Sequence, residues 1–138
     1  MMNNQKLYET LSALNTNQME GATGNWKFTI DSIIFFCLTD EFHNRMRIIA
    51  PIAKIEDLTE EHIQKCMEAN FHTALDIRYA FSDGVVWAAF IHPLKELTEE
   101  QIKSAVTQVY SGVKTFGTYY SGGSLSFPTK DDRNARNN

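Results

Sequence analysis

Residues 68–93 change their hydrophobic period from helical to alternating within a few positions, and this change constrains the fold more than any other feature. The stretch reads EANFHTALDIRYAFSDGVVWAAFIHP, in which Asp83-Gly84 supplies the turn of a hairpin between two strand-like runs. The returning run, 85–91, is apolar at every position, which is typical of a central strand or an interface strand. We therefore expect a helix that leads into a β-hairpin, with the other elements packed around it.

The segment before this stretch predicts a helix and three strands. A stripe of leucines predicts an amphipathic helix at 3–15, and alternating or β-branched runs predict strands at 26–30, 33–38 and 45–52. The 33–38 run is apolar almost throughout, so we expect it to be covered on both faces. Three strands so close in sequence indicate an antiparallel meander.

Two helix starts have nearly the same sequence, LTEEHI from Leu58 and LTEEQI from Leu97. In each, the threonine can serve as N-cap and the two glutamates suit the positive end of the helix dipole. The starts place helices at 59–71 and 98–116, on either side of the hairpin. The element order is then α-β-β-β-α-β-β-α, and the predicted fold class is α+β.

Composition limits what kind of protein this chain can be. With 138 residues, 43% of them hydrophobic, we expect one domain at 1–120 and a polar, flexible tail at 121–138. A net charge of −4 argues against nucleic acid as a partner. The N-terminal segment MMNNQKLYET has no apolar h-region, so we expect no secretory signal, and apolar runs such as 33–38 are too short to span a bilayer. Cys37 and Cys66 lack C-x-x-C spacing and lie in apolar stretches, which predicts free, buried thiols, with a buried disulfide as the alternative. We therefore expect a cytoplasmic protein without a membrane partner.

The sequence contains no motif that predicts catalysis, a cofactor or a metal site. Its four histidines do not show H-x-x-x-H or H-x-H spacing. A polar cluster on the sheet can be interpreted in two ways, as a pocket for an anion or acidic peptide or as a network of cross-strand ion pairs. The second interpretation is favoured, and we expect no enzyme; the alternative is a small-molecule or anion-binding protein, or even an enzyme, built on this cluster. Its residues are Arg45, Arg47, Asn70, Asp76 and Arg78.

Trp87 and Phe90 lie on opposite faces of one predicted strand. Core packing is the commoner role of each residue. A small sheet with one helical layer cannot bury both, however, unless a helix, a peptide or another subunit covers its second face. This argument favours an interaction function and makes Trp87 a candidate partner-binding residue.

The element order and three short segments resemble the bacterial YbjN family, described as sensory-transduction regulators with the fold of type III secretion chaperones. The segments are Glu68-Ala69-Asn70-Phe71, Asp76-Ile77-Arg78-Tyr79-Ala80 and Asp83-Gly84-Val85-Val86-Trp87, and the resemblance covers about residues 3–120. It implies a twisted antiparallel sheet flanked by helices. It also implies a homodimer formed through 59–71 and 75–81, with Ile63, Met67, Phe71, Ile77 and Tyr79 at the interface.

Secretion chaperones bind an extended client segment in apolar grooves, and the family resemblance carries that role to residues of the first helix and first predicted strand. These residues are Leu7, Leu11, Trp26, Phe28 and Ile30. The resemblance supplies no catalytic residue. The expected function is therefore a non-enzymatic interaction domain, chaperone-like or regulatory, that binds a protein or peptide as a homodimer.

Overall fold

One six-stranded antiparallel sheet organises the chain in the computed structural model, which describes residues 1–14 and 18–123. The spatial order of its strands is β1-β2-β3-β4-β6-β5. The strands are β1 (Glu20–Ala22), β2 (Asn25–Ile30), β3 (Ile33–Asp40), β4 (Arg45–Lys54), β5 (Arg78–Ser82) and β6 (Val85–His92). The helices are α1 (Asn4–Leu14), α2 (Glu60–His72) and α3 (Glu99–Thr115), with a short 3₁₀ turn at Ile55–Asp57.

The predicted α+β class and element order are confirmed, with two local differences. The short strand β1 was not predicted, because its three residues Glu-Gly-Ala are all exposed and show no alternation. The first hairpin strand was expected from residue 75 but begins at Arg78. Leu75 has a left-handed φ of 59° and the amide of Ile77 donates to the carbonyl of Ala74 at 3.2 Å, so this segment forms a turn.

Both predicted helix starts are confirmed as capping boxes. The Thr59 hydroxyl accepts a hydrogen bond from the backbone amide of His62 at 3.2 Å, and the Thr98 hydroxyl accepts one from Gln101 at 3.1 Å. In return, the side chains of His62 and Gln101 accept hydrogen bonds from the backbone amides of Thr59 and Thr98. The backbone amides at each helix start are therefore satisfied locally, which fixes where α2 and α3 begin.

One face of the sheet forms the core together with α1 and α3. The side chains of this core face alternate along the strands and are buried: Trp26, Phe28, Phe35, Cys37, Met46, Ile48, Ala50, Tyr79, Val86, Ala88 and Phe90. Leu7 and Leu11 of α1 and Ile102, Ala105 and Val109 of α3 are fully buried above them. A Cβ atom on Gly112 would lie only 2.4 Å from Cδ1 of Ile77, so this glycine lets α3 approach the sheet closely.

Helix α2 lies beside the edge strand β5. The Asn70 carboxamide donates to the carbonyl of Tyr79 at 3.1 Å and accepts from the amide of Tyr79 at 2.7 Å. The side chain therefore pairs with the edge of β5 as a neighbouring strand would.

Residues directly after the predicted domain boundary are also packed. The amide of Gly122 donates to the carbonyl of Thr73 at 3.1 Å, and the Ser111 hydroxyl donates to the carbonyl of Ser121 at 2.8 Å. The packed body thus extends through Gly123. The rest of the predicted tail, residues 124–138, lies outside the described residues.

Candidate functional site

The second face of the sheet has no helix packed over it within residues 1–14 and 18–123, and we call it the open face. Its apolar floor consists of Ile34, Phe36, Leu38, Ile49, Pro51, Trp87, Ala89 and Ile91. Most of these side chains are half-buried, and Ile34 and Ile91 are 38% and 56% exposed. The expectation that 33–38 is covered on both faces is therefore wrong for the described chain, because all three helices lie on the core side of the sheet or at its β5 edge.

The strand register places three floor residues side by side. Phe36 is opposite Ile49, and Ile49 is opposite Ala89, so the three form one row across β3, β4 and β6. Trp87 lies one pleat along β6, opposite Pro51, and its ring is 6.2 Å from that of Phe36 in an edge-to-face contact. These contacts give the floor a defined shape.

Two features hold this floor in place. The indole N–H of Trp87 donates to the carbonyl of Ser82 at 3.1 Å, which orients the ring across the β5–β6 hairpin. Pro51 lies beyond the last β3–β4 pair, Phe36 with Ile49, so its missing N–H removes no bond to β3. A bulge in the β4–β6 pairing follows immediately after this proline.

Basic side chains surround the apolar floor. They alternate with core residues along the strands and so belong to the open face: Lys27, Arg45, Arg47, Lys54 and Arg78. They are five of the ten lysines and arginines in the described residues. Within that part of the chain the ion pairs join His43 to Asp40 and Lys103 to Glu100, so none of the five bases takes part in one.

A second apolar surface lies on α2, and we call Met67 and Phe71 the α2 stripe. They are 65% and 81% exposed and stand four residues apart, on one side of the helix. Cys66 and Ala69 face the protein interior instead. The inward side of α2 therefore carries small residues, and its exposed side carries the large ones.

Four of the residues expected to contact a client are part of the protein's own core. Leu7, Leu11, Trp26 and Phe28 are at most 4% exposed, because α1 and β2 bury them against each other and against α3. They therefore do not form a surface groove, and the expected position of that groove is wrong. Ile30 is half-buried beside the core, and Trp87 is half-buried on the open face.

The residues expected at a dimer interface divide into two groups. Ile77 and Tyr79 are buried in the core beside Gly112 of α3, so their side chains are not available to a second chain. Met67 and Phe71 are exposed, and Ile63 is half-buried one turn earlier on α2.

The predicted polar cluster is only partly brought together. Asp76 and Arg78 line one cleft of about 360 Å³ with Leu75, Phe90, Ile91, His92, Gln101 and Ser104. Arg45, Arg47 and Asn70 do not line this cleft, because the arginines lie on β4 and Asn70 pairs with β5. A pocket shared by all five residues is therefore not formed.

Hydrogen bonds within the protein already use both residues of the cluster that reach the cleft. The Gln108 side chain donates to the Asp76 carboxylate at 2.9 Å and accepts from the Asp76 amide at 2.8 Å. Arg78 donates to the carbonyls of Leu75 and Ile77 at 2.8 and 2.6 Å. Both side chains thus stabilise the turn that precedes β5, which is a structural role.

The thiols of Cys37 and Cys66 and the phenol of Tyr79 are buried. Burial raises the pKa of the Cys37 thiol to about 12 and that of Cys66 to about 11, so neither is a thiolate near neutral pH. Burial also raises the pKa of Tyr79 to about 12. At the surface, hydrogen bonds from the backbone and ring of His43 lower the pKa of the Asp40 carboxyl. Both cysteines are free and buried, as predicted.

The described part of the chain has neither a cluster of metal-binding side chains nor a membrane-spanning helix. No group of three or more histidine, cysteine, aspartate or glutamate side chains is placed to hold a metal ion. None of the described helices has the length and apolar character needed to cross a bilayer.

Neither a family model nor a curated protein matches this chain. Solved structures do match, and the fold is that of type III secretion chaperones. A chain of the HopA1-SchA chaperone–effector complex has a TM-score of 0.63 at 12% identity, covering 80% of this chain and 88% of its own.

Two further structures share the fold at similarly low identity. A chain of the ExsC–ExsE complex has a TM-score of 0.60 at 14% identity, covering 84% of this chain and 97% of its own. The Yersinia pestis type III secretion chaperone SycH, solved with a stable fragment of YscM2, has a TM-score of 0.60 at 16% identity, covering 83% and 98%. At these identities the likeness shows a shared fold.

Proposed function

We propose that this chain is a non-enzymatic, chaperone-like protein-binding domain that acts as a homodimer. The observation that carries the proposal is the α2 stripe, since large exposed apolar side chains on a well-capped helix are typical of an interface. The three structures named above were each solved as a complex with another protein, which supports a protein partner. Membership of the YbjN family, a regulatory role and a cytoplasmic location remain predictions of the sequence.

Packing of the α2 stripe against its symmetry mate is the simplest way to build this dimer. A two-fold interface places the same residues on both sides, so Met67 and Phe71 of one copy would pack against those of the other. Ile63, one turn earlier, would extend the contact. The buried residues Ile77 and Tyr79 would support the interface from beneath and make no direct contact.

Sedimentation velocity of the full chain at micromolar concentration tests this proposal. We expect twice the mass of one chain, and we expect Met67→Asp combined with Phe71→Asp to give a monomer that keeps its far-UV circular dichroism. Phe42→Asp is the matched control, because Phe42 is 90% exposed on the β3–β4 turn and lies outside the stripe. A monomeric unchanged chain, or a dimer that survives the double substitution, contradicts the proposed interface.

A further inference from the structure

We propose that the open face binds an acidic amphipathic helix of a partner protein. This inference adds the chemistry of the partner to the proposed function. It rests on that function in one respect, namely that the ligand is a segment of a protein. It uses a different surface from the α2 stripe, so the two proposals fail separately.

The size of the open face matches one helix. In the central row, Lys27 and Arg78 stand at the two ends with Phe36, Ile49 and Ala89 between them. Four strand intervals separate the two basic residues, which is about 19 Å between their Cα atoms. The apolar floor between them is about as wide as an α-helix with its side chains, 10–12 Å. A single helix lying along the strands would contact the floor and reach a base on each side.

The charge of the face selects an acidic partner. The chain as a whole is acidic, with a net charge of −4, yet half of its described bases surround this floor without forming an ion pair. Two acidic residues share the face: Glu20 is directly opposite Lys27 in the β1–β2 register, and Asp40 is directly opposite Arg45 in the β3–β4 register. The other three bases, Arg47, Lys54 and Arg78, have only apolar partners in register, so the face keeps an excess of positive charge. Glutamates on both flanks of an apolar helix stripe would supply the missing opposite charges.

The chain's own C-terminal segment does not have this chemistry. Residues 124–138 contain two large apolar residues, Leu125 and Phe127, together with three basic and two acidic residues. A net positive segment would be repelled by the bases of the open face. A helix of opposite charge from another protein is therefore favoured over this segment.

Fluorescence anisotropy of labelled helical peptides tests the inference on the full chain. The probe is a peptide of about 18 residues with leucines at helical spacing and glutamates elsewhere, and its match replaces every glutamate with lysine. We expect the glutamate peptide to bind at least about tenfold more tightly in dilute buffer, with the difference shrinking as salt screens the charges. Equal binding of the two peptides, or no binding of either, overturns the inference.

Substitutions on the open face identify where the peptide binds. Arg47→Glu with Lys54→Glu is expected to reverse the preference toward the lysine peptide, and Trp87→Ala to weaken both peptides about tenfold or more. Lys95→Glu, an exposed base outside this face, is the matched control and should change little. Glutamate-peptide binding that is unaffected by the double substitution overturns the inference.

Three further results would assign the face to another occupant and overturn the proposal. The first is glutamate-peptide binding that appears only after truncation at Gly123, which would assign the face to the C-terminal segment. The second is a dimer that survives changes to the α2 stripe but dissociates with Arg47→Glu, which would assign it to a second copy. The third is tight binding of vesicles containing phosphatidylserine by a chain that ignores the glutamate peptide.

Discussion

The contact of Asn70 with the edge of β5 should make a measurable contribution to stability, and replacing its carboxamide by a carboxyl should make that stability depend on pH. Its carboxamide forms two hydrogen bonds with the backbone of Tyr79, one as donor and one as acceptor. The net contribution of one hydrogen bond to protein stability is about 0.5–1.5 kcal/mol. Loss of both bonds in Asn70→Ala should therefore lower the free energy of unfolding by about 1–3 kcal/mol.

Asn70→Asp separates the two bonds without changing the size of the side chain. The introduced carboxylate can still accept from the Tyr79 amide, but its second oxygen faces the Tyr79 carbonyl at about the distance of the present bond, 3.1 Å. Only a protonated carboxyl can donate there, so folding should raise the pKa of the introduced group. The protonated form then stabilises the fold below the unfolded pKa of about 3.9, and this stability is lost as the pH rises through the folded pKa.

Urea unfolding followed by tryptophan fluorescence at pH 4 and pH 7 measures both effects. We expect Asn70→Asp to be markedly less stable than the unchanged chain at pH 7 and to recover part of the loss at pH 4. Asn25→Asp, at an exposed site on β2, serves as control for the added charge. If Asn70→Ala costs less than about 0.5 kcal/mol, or Asn70→Asp shows no pH-dependent difference from the control, the strand-like role of Asn70 is refuted.

Three other changes test separate parts of the fold. Gly112→Ala should lower the free energy of unfolding by about 1–2 kcal/mol despite its better helix propensity, because its Cβ would lie 2.4 Å from Ile77 Cδ1; equal or higher stability in urea would show that α3 can shift. Thr98→Ala should cost about 1 kcal/mol in the same assay through loss of the α3 cap, whereas an unchanged midpoint would remove that role. Cys37 and Cys66 should react slowly with a disulfide reagent at pH 8 in the native protein and quickly in urea. Because their thiol pKa values are raised to about 12 and 11, stability should fall above about pH 9; rapid native labelling would contradict their burial.

The sequence predicts the elements of this fold well because their signals are local. The capping boxes at Thr59 and Thr98 depend on residues three positions apart, and the Asp83-Gly84 turn depends on two neighbours with positive φ. The start of β5 was placed three residues early because a residue 32 positions away decides it. Gln108 binds Asp76 and so holds the segment before β5 in a turn. The hydrophobic periodicity of the sequence cannot reveal a contact between residues so far apart.

The candidate surfaces were harder to predict, because the sequence pattern around an apolar residue is the same whether its own chain or a partner covers it. Trp26 and Trp87 both lie on strands rich in apolar residues, yet the helices bury Trp26 and leave Trp87 on the open face. A signal was present in the alternation itself. Lys27, Arg47 and Arg78 occupy the same face as Trp87, and a face lined with bases is rarely a core.

The uneven distribution of charge also bears on how fast this protein meets another molecule. An acidic body with a basic face has a substantial dipole moment, which turns an approaching anionic partner toward that face before any contact is made. Association would then be accelerated mainly in its forward rate, while the lifetime of the complex would depend on how well the indole of Trp87 and its neighbours are covered. The association rate and the lifetime of the complex would thus depend on different residues of the same sheet.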